Sequence, residues 1–365
     1  MPTIQSPSLP NQPSRILMAA LGLALLGTAN ALTARAASPD STAAEKLRVG
    51  FVGLDTSHAG AFAKLIREAP ESSAASKLQI VAAWPGGSPD IPSSADRVAG
   101  YTQEFERLGI EIVGSLDELL PKVDAVILTS LDGRAHLPQV VPILRAGKPV
   151  FIDKPLAADL ADAVAIDRAA KAVGGRWFTS SSLRFTPTIW RYRTNTDRPV
   201  LGVHAWSPCS LEPHHTDLAW YGIHGVEALF TAMGTGCESV SRTRSDGADV
   251  SVGRWSDGRI GLFRGIRDGS QGYGLTVFGK DFIESDAKYE GYGPLVEQIA
   301  LFLLGGPAPV APAESLEIMA FIQAAQASSD RGGAPVKTSD MMAAAQLDAT
   351  ARLAPYQLPT PSEKR

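Results

Sequence analysis

Short apolar runs alternate with helical spacings from Leu47 to Val173, and this alternation limits the possible folds more than any other feature of the chain. Leu47 to Leu54 (LRVGFVGL) is a β-branched run ending in a turn, and Ser57 to Glu68 follows with Ala61, Phe62, Leu65 and Ile66 at helical spacing. A second strand, Leu78 to Trp84, runs into Pro85 to Ser94 (PGGSPDIPSS), which is too rich in turn residues for a helix interior. Helical spacing returns from Ala95 to Arg107. Strands at Glu111 to Val113 and Ala125 to Leu128 flank a helical Leu116 to Leu120, and a helix from His136 to Ala146 leads into the strand Val150 to Ile152. Parallel neighbours need such long connections, so the pattern predicts an α/β fold with a doubly wound parallel (Rossmann) sheet. Ligands of these sheets bind beyond the carboxyl ends of the strands, where the strand order reverses.

A chain of 365 residues exceeds one usual domain, and a second is expected. Past the helix Ala161 to Val173, strands at Gly202 to Ser207, Ser251 to Trp255, Arg259 to Gly265 and Gly274 to Phe278 are bounded by glycine turns. With helices at Pro294 to Leu304 and Glu314 to Ser328 they predict a C-terminal α+β domain with a mostly antiparallel sheet. The expected division is a Rossmann domain over 47–157, a second domain over 158–340 and a tail over 341–365, polar and proline-bearing past Gln357.

The N-terminus reads as an export signal. Arg15 opens an apolar stretch, Ile16 to Leu26, followed by A-x-A cleavage patterns at Ala29-Asn30-Ala31 and Ala34-Arg35-Ala36. A signal peptide over 1–37 and a linker over 38–46 are expected, with Sec-type export to the periplasm because no twin arginine precedes the apolar run. The run is shorter than the ~20 apolar residues of a membrane span, so none is expected in the mature chain. With 34 basic against 38 acidic residues and no long run of either sign, nucleic acid is not an expected partner. Cys209 and Cys237 lie in no CxxC spacing and are expected as buried structural thiols, with pairing as the alternative.

The residues after each strand carry the chemistry. The first turn, Gly53-Leu54-Asp55-Thr56-Ser57-His58, keeps only the first glycine of a GxGxxG phosphate turn, and Gly53, Asp55, Thr56, Ser57 and His58 are its cofactor-binding candidates. Two readings stay open. Asp55, Thr56 and Ser57 suit a helix N-cap, and Thr56, Ser57 and His58 could equally hold a phosphate if Asp55 is turned away. After the second strand no acidic residue stands ready for an adenine ribose, and Ser88 is the candidate there; Ser130 is the candidate after Leu128. Asp153-Lys154-Pro155 is the sharpest signal, since a lysine at a strand's carboxyl end, beside an acid, can aim its ammonium into the crevice. In the second domain His214-His215-Thr216-Asp217 can be read as a metal site, but adjacent histidines rarely bind one ion and no third ligand follows, so no metal is expected. Arg184, Trp206, Tyr221, Tyr289 and Tyr292 would suit a carbohydrate, whose apolar face stacks on rings; Arg184, Tyr221 and His215 are retained as substrate candidates.

Ala146-Gly147-Lys148-Pro149-Val150 with Asp153-Lys154-Pro155 resembles the AGKxVxxEKP segment of the Gfo/Idh/MocA oxidoreductase family, with aspartate for the usual glutamate. Val123 to Ile127, the loop Thr129 to His136, Ser181 to Pro187 (SSLRFTP) and Gly222-Ile223-His224-Gly225-Val226-Glu227 resemble further family segments in the same order. The resemblance implies NAD or NADP as cofactor and a sugar-like substrate oxidised at a secondary hydroxyl. It implies that Lys154 contacts the nicotinamide side and a substrate hydroxyl, that His224 handles the hydroxyl proton, and that a homo-oligomer forms through the second sheet's open face. Trp220 stands where the family carries an aspartate, and Asp217 is the candidate replacement. A non-catalytic carbohydrate-binding protein with a degenerate turn, or a redox-assisted sugar lyase or hydrolase, are the rival readings.

Overall fold

A computed structural model describes residues 45–359 except 195, 196 and 287; the expected signal peptide, most of the linker and the end of the tail lie outside the described residues. The first domain runs β1 (Leu47–Val52), α1 (Ser57–Arg67), β2 (Leu78–Trp84), α2 (Pro92–Arg107), β3 (Glu111–Ile112), α3 (Leu116–Leu119), β4 (Ala125–Leu128), α4 (His136–Arg145), β5 (Val150–Ile152), α5 (Leu160–Val173) and β6 (Trp177–Thr179). The strands form one parallel sheet in the order β3-β2-β1-β4-β5-β6, so chain direction across the sheet reverses between β1 and β4. Val126, Ile127, Leu128, Val150, Phe151 and Ile152 are wholly buried, as continuous apolar runs covered by helices on both faces must be. The sheet does not end at 157. The third strand of the β4-β5-β6 series, β6, carries it to Thr179, a segment too short to announce itself by periodicity.

The second domain follows with α6 (Pro187–Thr194), β7 (Val200–Pro208), α7 (Asp217–Trp220), α8 (Ile223–Met233), β8 (Cys237–Arg244), β9 (Ala248–Trp255), β10 (Ile260–Ile266), β11 (Gly274–Gly279), β12 (Ile283–Asp286), α9 (Gly293–Leu303), α10 (Pro312–Asp330), β13 (Val336–Lys337) and α11 (Thr338–Leu353). Its sheet, β12-β11-β7-β10-β9-β8-β13, is antiparallel except for the β7–β10 pair. Helix α8 lies close on this sheet because residue 225 is glycine: a Cβ there would stand 2.4 Å from the Phe263 ring. Residues 341–353, expected as tail, belong instead to α11, which packs on α5 of the first domain and is tied there by Arg352 to Asp159 and Asp162, both at 3.0 Å. Both cysteines are free and buried, and burial pushes each thiol up to about 12. No described helix is long and apolar enough to cross a membrane.

Candidate active site

The crevice over the β1–β4 reversal is where the first-domain candidates meet. Gly53 ends β1 with φ +88°, and a Cβ on it would lie 2.3 Å from the Ser130 amide nitrogen, so only glycine lets the turns after β1 and β4 touch. Its own amide, and that of Leu54, donate to the Trp84 and Pro85 carbonyls at the end of β2, at 2.9 and 2.7 Å. Gly53 is therefore a packing residue, and no phosphate contact falls to its N–H. Asp55 is wholly buried. Its carboxylate accepts from Ser94 Oγ (2.6 Å) and the Leu131 amide (3.0 Å), and burial outweighs these bonds to raise its pKa. The expectation that Asp55 contacts cofactor is corrected: the side chain is turned into the protein as a strap between α2 and the loop after β4. Ser130 Oγ is likewise committed, to Gln139 at 2.8 Å, and Ser88 Oγ donates to Asp132 at 2.8 Å. Arg134 completes this second strap, bonding Asp132 and, at 2.9 Å, Asp90.

Thr56, Ser57 and His58 open instead onto a cavity of about 210 Å³ that also takes in Arg97, Lys154 and His224. Thr56 caps α1, its hydroxyl accepting the His58 amide and its carbonyl the Ala59 amide at 3.2 Å. Lys154 is 7% exposed, and its ammonium lies 5.5 Å from the Tyr221 ring centroid. Asp153, beside it, is turned away from the cavity: Oδ2 meets His58 Nδ1 at 2.5 Å and Oδ1 accepts the Lys154 amide at 2.9 Å. Burial pushes the Asp153 pKa up, but His58 and Lys154 together outweigh it and hold the carboxyl below its usual range. Its role is to orient His58, which sequence reasoning had offered only as charge for a phosphate.

The second domain closes the cavity with the N-terminus of α8. His224 enters it beside Tyr221 and Tyr273, its Nδ1 2.7 Å from Ser181 Oγ. Behind it stands a buried chain that motif reading missed. Glu227 accepts the Ser181 amide (2.9 Å) and Ser180 Oγ (3.0 Å), and pairs with Arg184 Nε at 3.1 Å. Arg184 reaches on to Glu314 at 2.6 Å and is 1% exposed, so it supports the floor of the site and is not a substrate ligand. The Glu at three residues past His224, on the same face of one helix, was the signal available in the sequence. Burial first, then the nearby Lys154 and His58, drive the His224 pKa well below 6.5, so the imidazole is neutral at physiological pH.

Two more candidates lie elsewhere. Asp217 pairs with Arg242 (2.9 Å) and Arg244 (2.7 Å) on β8, and no contact joins it to His224. It does not replace the carboxylate for which Trp220 stands. His215 binds the Gly133 amide (3.0 Å) and Glu212 (2.5 Å), fastening the loop before α7 to the first domain outside the cavity. Tyr221 does line the cavity, joined by Tyr289 and Tyr292.

The parallel sheet with its reversal between β1 and β4 is a Rossmann-type architecture, and Lys154 and His224 from the two domains meet in one cavity there. Residues 47–180 match the family model described as the oxidoreductase family with NAD-binding Rossmann fold, Gfo/Idh/MocA. The first domain is thus similar to that family over 47–180. An inositol 2-dehydrogenase of Cereibacter sphaeroides is 43% identical over 68 residues, 19% of this chain and 20% of the relative, and inositol 2-dehydrogenase 3 of Saccharopolyspora erythraea is 41% identical over 87 residues, 24% of each. The match thus spans about a fifth to a quarter of these relatives' length. The fold is shared more widely. A scyllo-inositol dehydrogenase from Lactobacillus casei, solved with NAD(H) and scyllo-inositol bound, superposes with TM-score 0.66 at 14% identity, over 80% of this chain and 99% of that one. A probable dehydrogenase from Thermotoga maritima gives 0.66 at 20%, over 81% and 100%.

The cavity lining suits a dinucleotide's phosphate and ring: the Thr56 and Ser57 hydroxyls at the start of α1, Arg97, and Lys154 at the strand end would hold them. The two carboxylate straps cross from the β2 and α2 side to the loop after β4. Replacing Asp55 with Asn keeps an acceptor for Leu131 and a partner for Ser94 while removing a buried negative charge near the phosphate seat. NADH fluorescence titration is expected to show roughly tenfold tighter binding in Asp55→Asn; unchanged or weaker binding would place the phosphates elsewhere.

Proposed function

We propose that the chain is an NAD- or NADP-dependent oxidoreductase of a secondary hydroxyl on a sugar-like or cyclitol substrate, acting after export. The observation that carries this reading is the meeting of Lys154 and His224, from different domains, in one small cavity at the sheet's reversal point. The bound nicotinamide would supply the hydride acceptor. Lys154, buried and without a carboxylate at its ammonium, stabilises negative charge on the reacting oxygen. His224 Nδ1 lies 2.7 Å from Ser181 Oγ, and in the tautomer that donates Nδ1–H to it the Nε2 lone pair takes the hydroxyl proton, with burial keeping the imidazole neutral. Tyr221 and Tyr273, linked hydroxyl to hydroxyl at 3.3 Å, wall the site against bulk water.

A pH dependence follows from the neutral imidazole. The acidic limb of the rate of oxidation reports protonation of His224 and is expected below pH 6.5. Lys154→Met removes a neighbouring positive charge that lowers this pKa, so the limb moves upward in pH, and a profile unmoved by that substitution would argue against His224 as the base. The function itself is tested by incubating purified protein with NAD+ or NADP+ and a panel of inositols, hexoses and hexuronates, reading the fluorescence of reduced nicotinamide. Reduction with at least one polyol is expected. The two straps favour one second reading, a carbohydrate-binding protein without dinucleotide; sugar binding with neither reduction nor NADH binding would select it.

A further inference from the structure

Lys154 has an uncommon setting for a buried lysine. Among the described residues no oxygen accepts from its ammonium, and the group that it meets is the face of the Tyr221 ring, with Nζ 5.5 Å from the centroid. Asp153, next to it in the chain, gives its oxygens to His58 Nδ1 and to the Lys154 backbone amide instead. An ammonium within about 6 Å of an aromatic centroid is attracted to the ring's negative face, most strongly where both are withdrawn from water.

The local fold fixes that ring. Tyr221 stands between α7 and α8, with φ −132° and ψ −31°, so neither helix runs through it. A Cβ at residue 222 would lie 3.0 Å from Cys209 Sγ and from the Leu218 carbonyl oxygen, so glycine there lets the junction lie close on its neighbours. Trp220 packs on His215, outside the cavity, at 4.8 Å between centroids. The Tyr221 hydroxyl accepts from Tyr273 at 3.3 Å, and its ring meets the His224 imidazole edge-on at 5.2 Å. One ring therefore touches both groups on which the proposed chemistry depends.

The kind of partner matters for that chemistry. A carboxylate would also hold an ammonium, but it would offset the charge and occupy the N–H donors. An aromatic face carries no net charge, so the positive charge of Lys154 and its donors stay available to the bound cofactor and the reacting oxygen.

We propose that Tyr221 is a positioning residue whose ring face holds the Lys154 ammonium in place without neutralising it. This role deepens the functional reading of the same site and rests on it, whereas the contact itself is readable without turnover.

The first readout is the NMR spectrum of protein labelled with 13C at the lysine ε-carbon. The ring current over the Tyr221 face is expected to place the Lys154 ε-methylene signal upfield of the other lysines, and Lys154→Met assigns that signal by its disappearance. It should stay upfield in Tyr221→Phe, which keeps the ring, and rejoin the others in Tyr221→Leu, which keeps an apolar side chain without the face. Steady-state rates with NAD+ and the polyol that is turned over fastest are the second readout. In Tyr221→Leu kcat should fall roughly tenfold or more while KM stays within a few-fold, and Tyr221→Phe should recover most of that loss. Circular dichroism melts of both variants separate this from a loss of fold. A Lys154 signal lying among those of the other lysines overturns the proposal, and this is read on the unchanged protein whether or not either variant folds. Equal rates in Tyr221→Leu and Tyr221→Phe overturn it too. An upfield signal with no nicotinamide reduction by any polyol would leave the ring–ammonium contact standing and remove the oxidoreductase reading instead.

Discussion

Replacement of His224 by asparagine is expected to lower turnover by roughly 10²–10⁴-fold while leaving ligand and NADH binding within a few-fold of the unchanged protein. Asparagine preserves a polar group near Ser181 Oγ but has no lone pair of suitable basicity to take the hydroxyl proton. The split matters because His224 also packs edge-on to Tyr221 and Tyr273, at 5.2 and 5.8 Å between ring centroids. A side chain needed only for that packing would, when lost, weaken binding and depress the melting temperature together. Steady-state rates beside calorimetric affinities separate the two roles, and a variant with full turnover removes His224 from the chemistry.

The second large effect concerns stability. Arg184→Met keeps the length of the side chain but strips the guanidinium from between Glu227 and Glu314, which are 3% and 2% exposed. Arg193 still reaches Glu314 at 2.7 Å, so the carboxylate left most exposed to the loss is Glu227. A buried charge deprived of its partner costs roughly 3–5 kcal/mol. Urea denaturation is expected to show a loss of that order, and Arg184→Met with Glu227→Gln should recover part of it. Were Arg184 a substrate ligand, the substitution would instead raise KM with little change in denaturation midpoint.

Much of the fold was legible because parallel strands buried on both faces need unbroken apolar runs, and these stand out between turn residues. The strands β1, β2, β4 and β5 and the helices between them fall where the pattern puts them. Segments without such runs were not legible. Strand β8 (CESVSRTR) buries only Cys237, Val240 and Arg242 along its length, and its central arginine is held by Asp249 across the sheet, a contact that no periodicity announces. Helix α11 (TSDMMAAAQLDATARL) has a weak apolar face, because alanines rather than large side chains meet α5.

The site shows the same division. Lys154 was legible since a lysine after a buried strand, before proline, has few places to go, whereas His224 was reached only through the family resemblance of Gly222 to Glu227. Asp55 and Arg184 were misread for one physical reason: a charged residue in a motif position looks like a ligand contact until its partners are known, and theirs lie 39 to 130 residues away in sequence. Asp217 failed likewise, its charge answered from β8 by Arg242 and Arg244. His58 went the other way, since its partner Asp153 sits 95 residues on and turns a presumed phosphate contact into an oriented imidazole.

The most direct test is a crystal structure of the protein soaked with NAD+. Density for the nicotinamide ring between the Lys154 ammonium and the His224 imidazole, with the phosphates over Thr56 and Ser57, is the predicted result. A dinucleotide bound away from that cavity, or the two straps intact with no dinucleotide at saturating concentration, would contradict it.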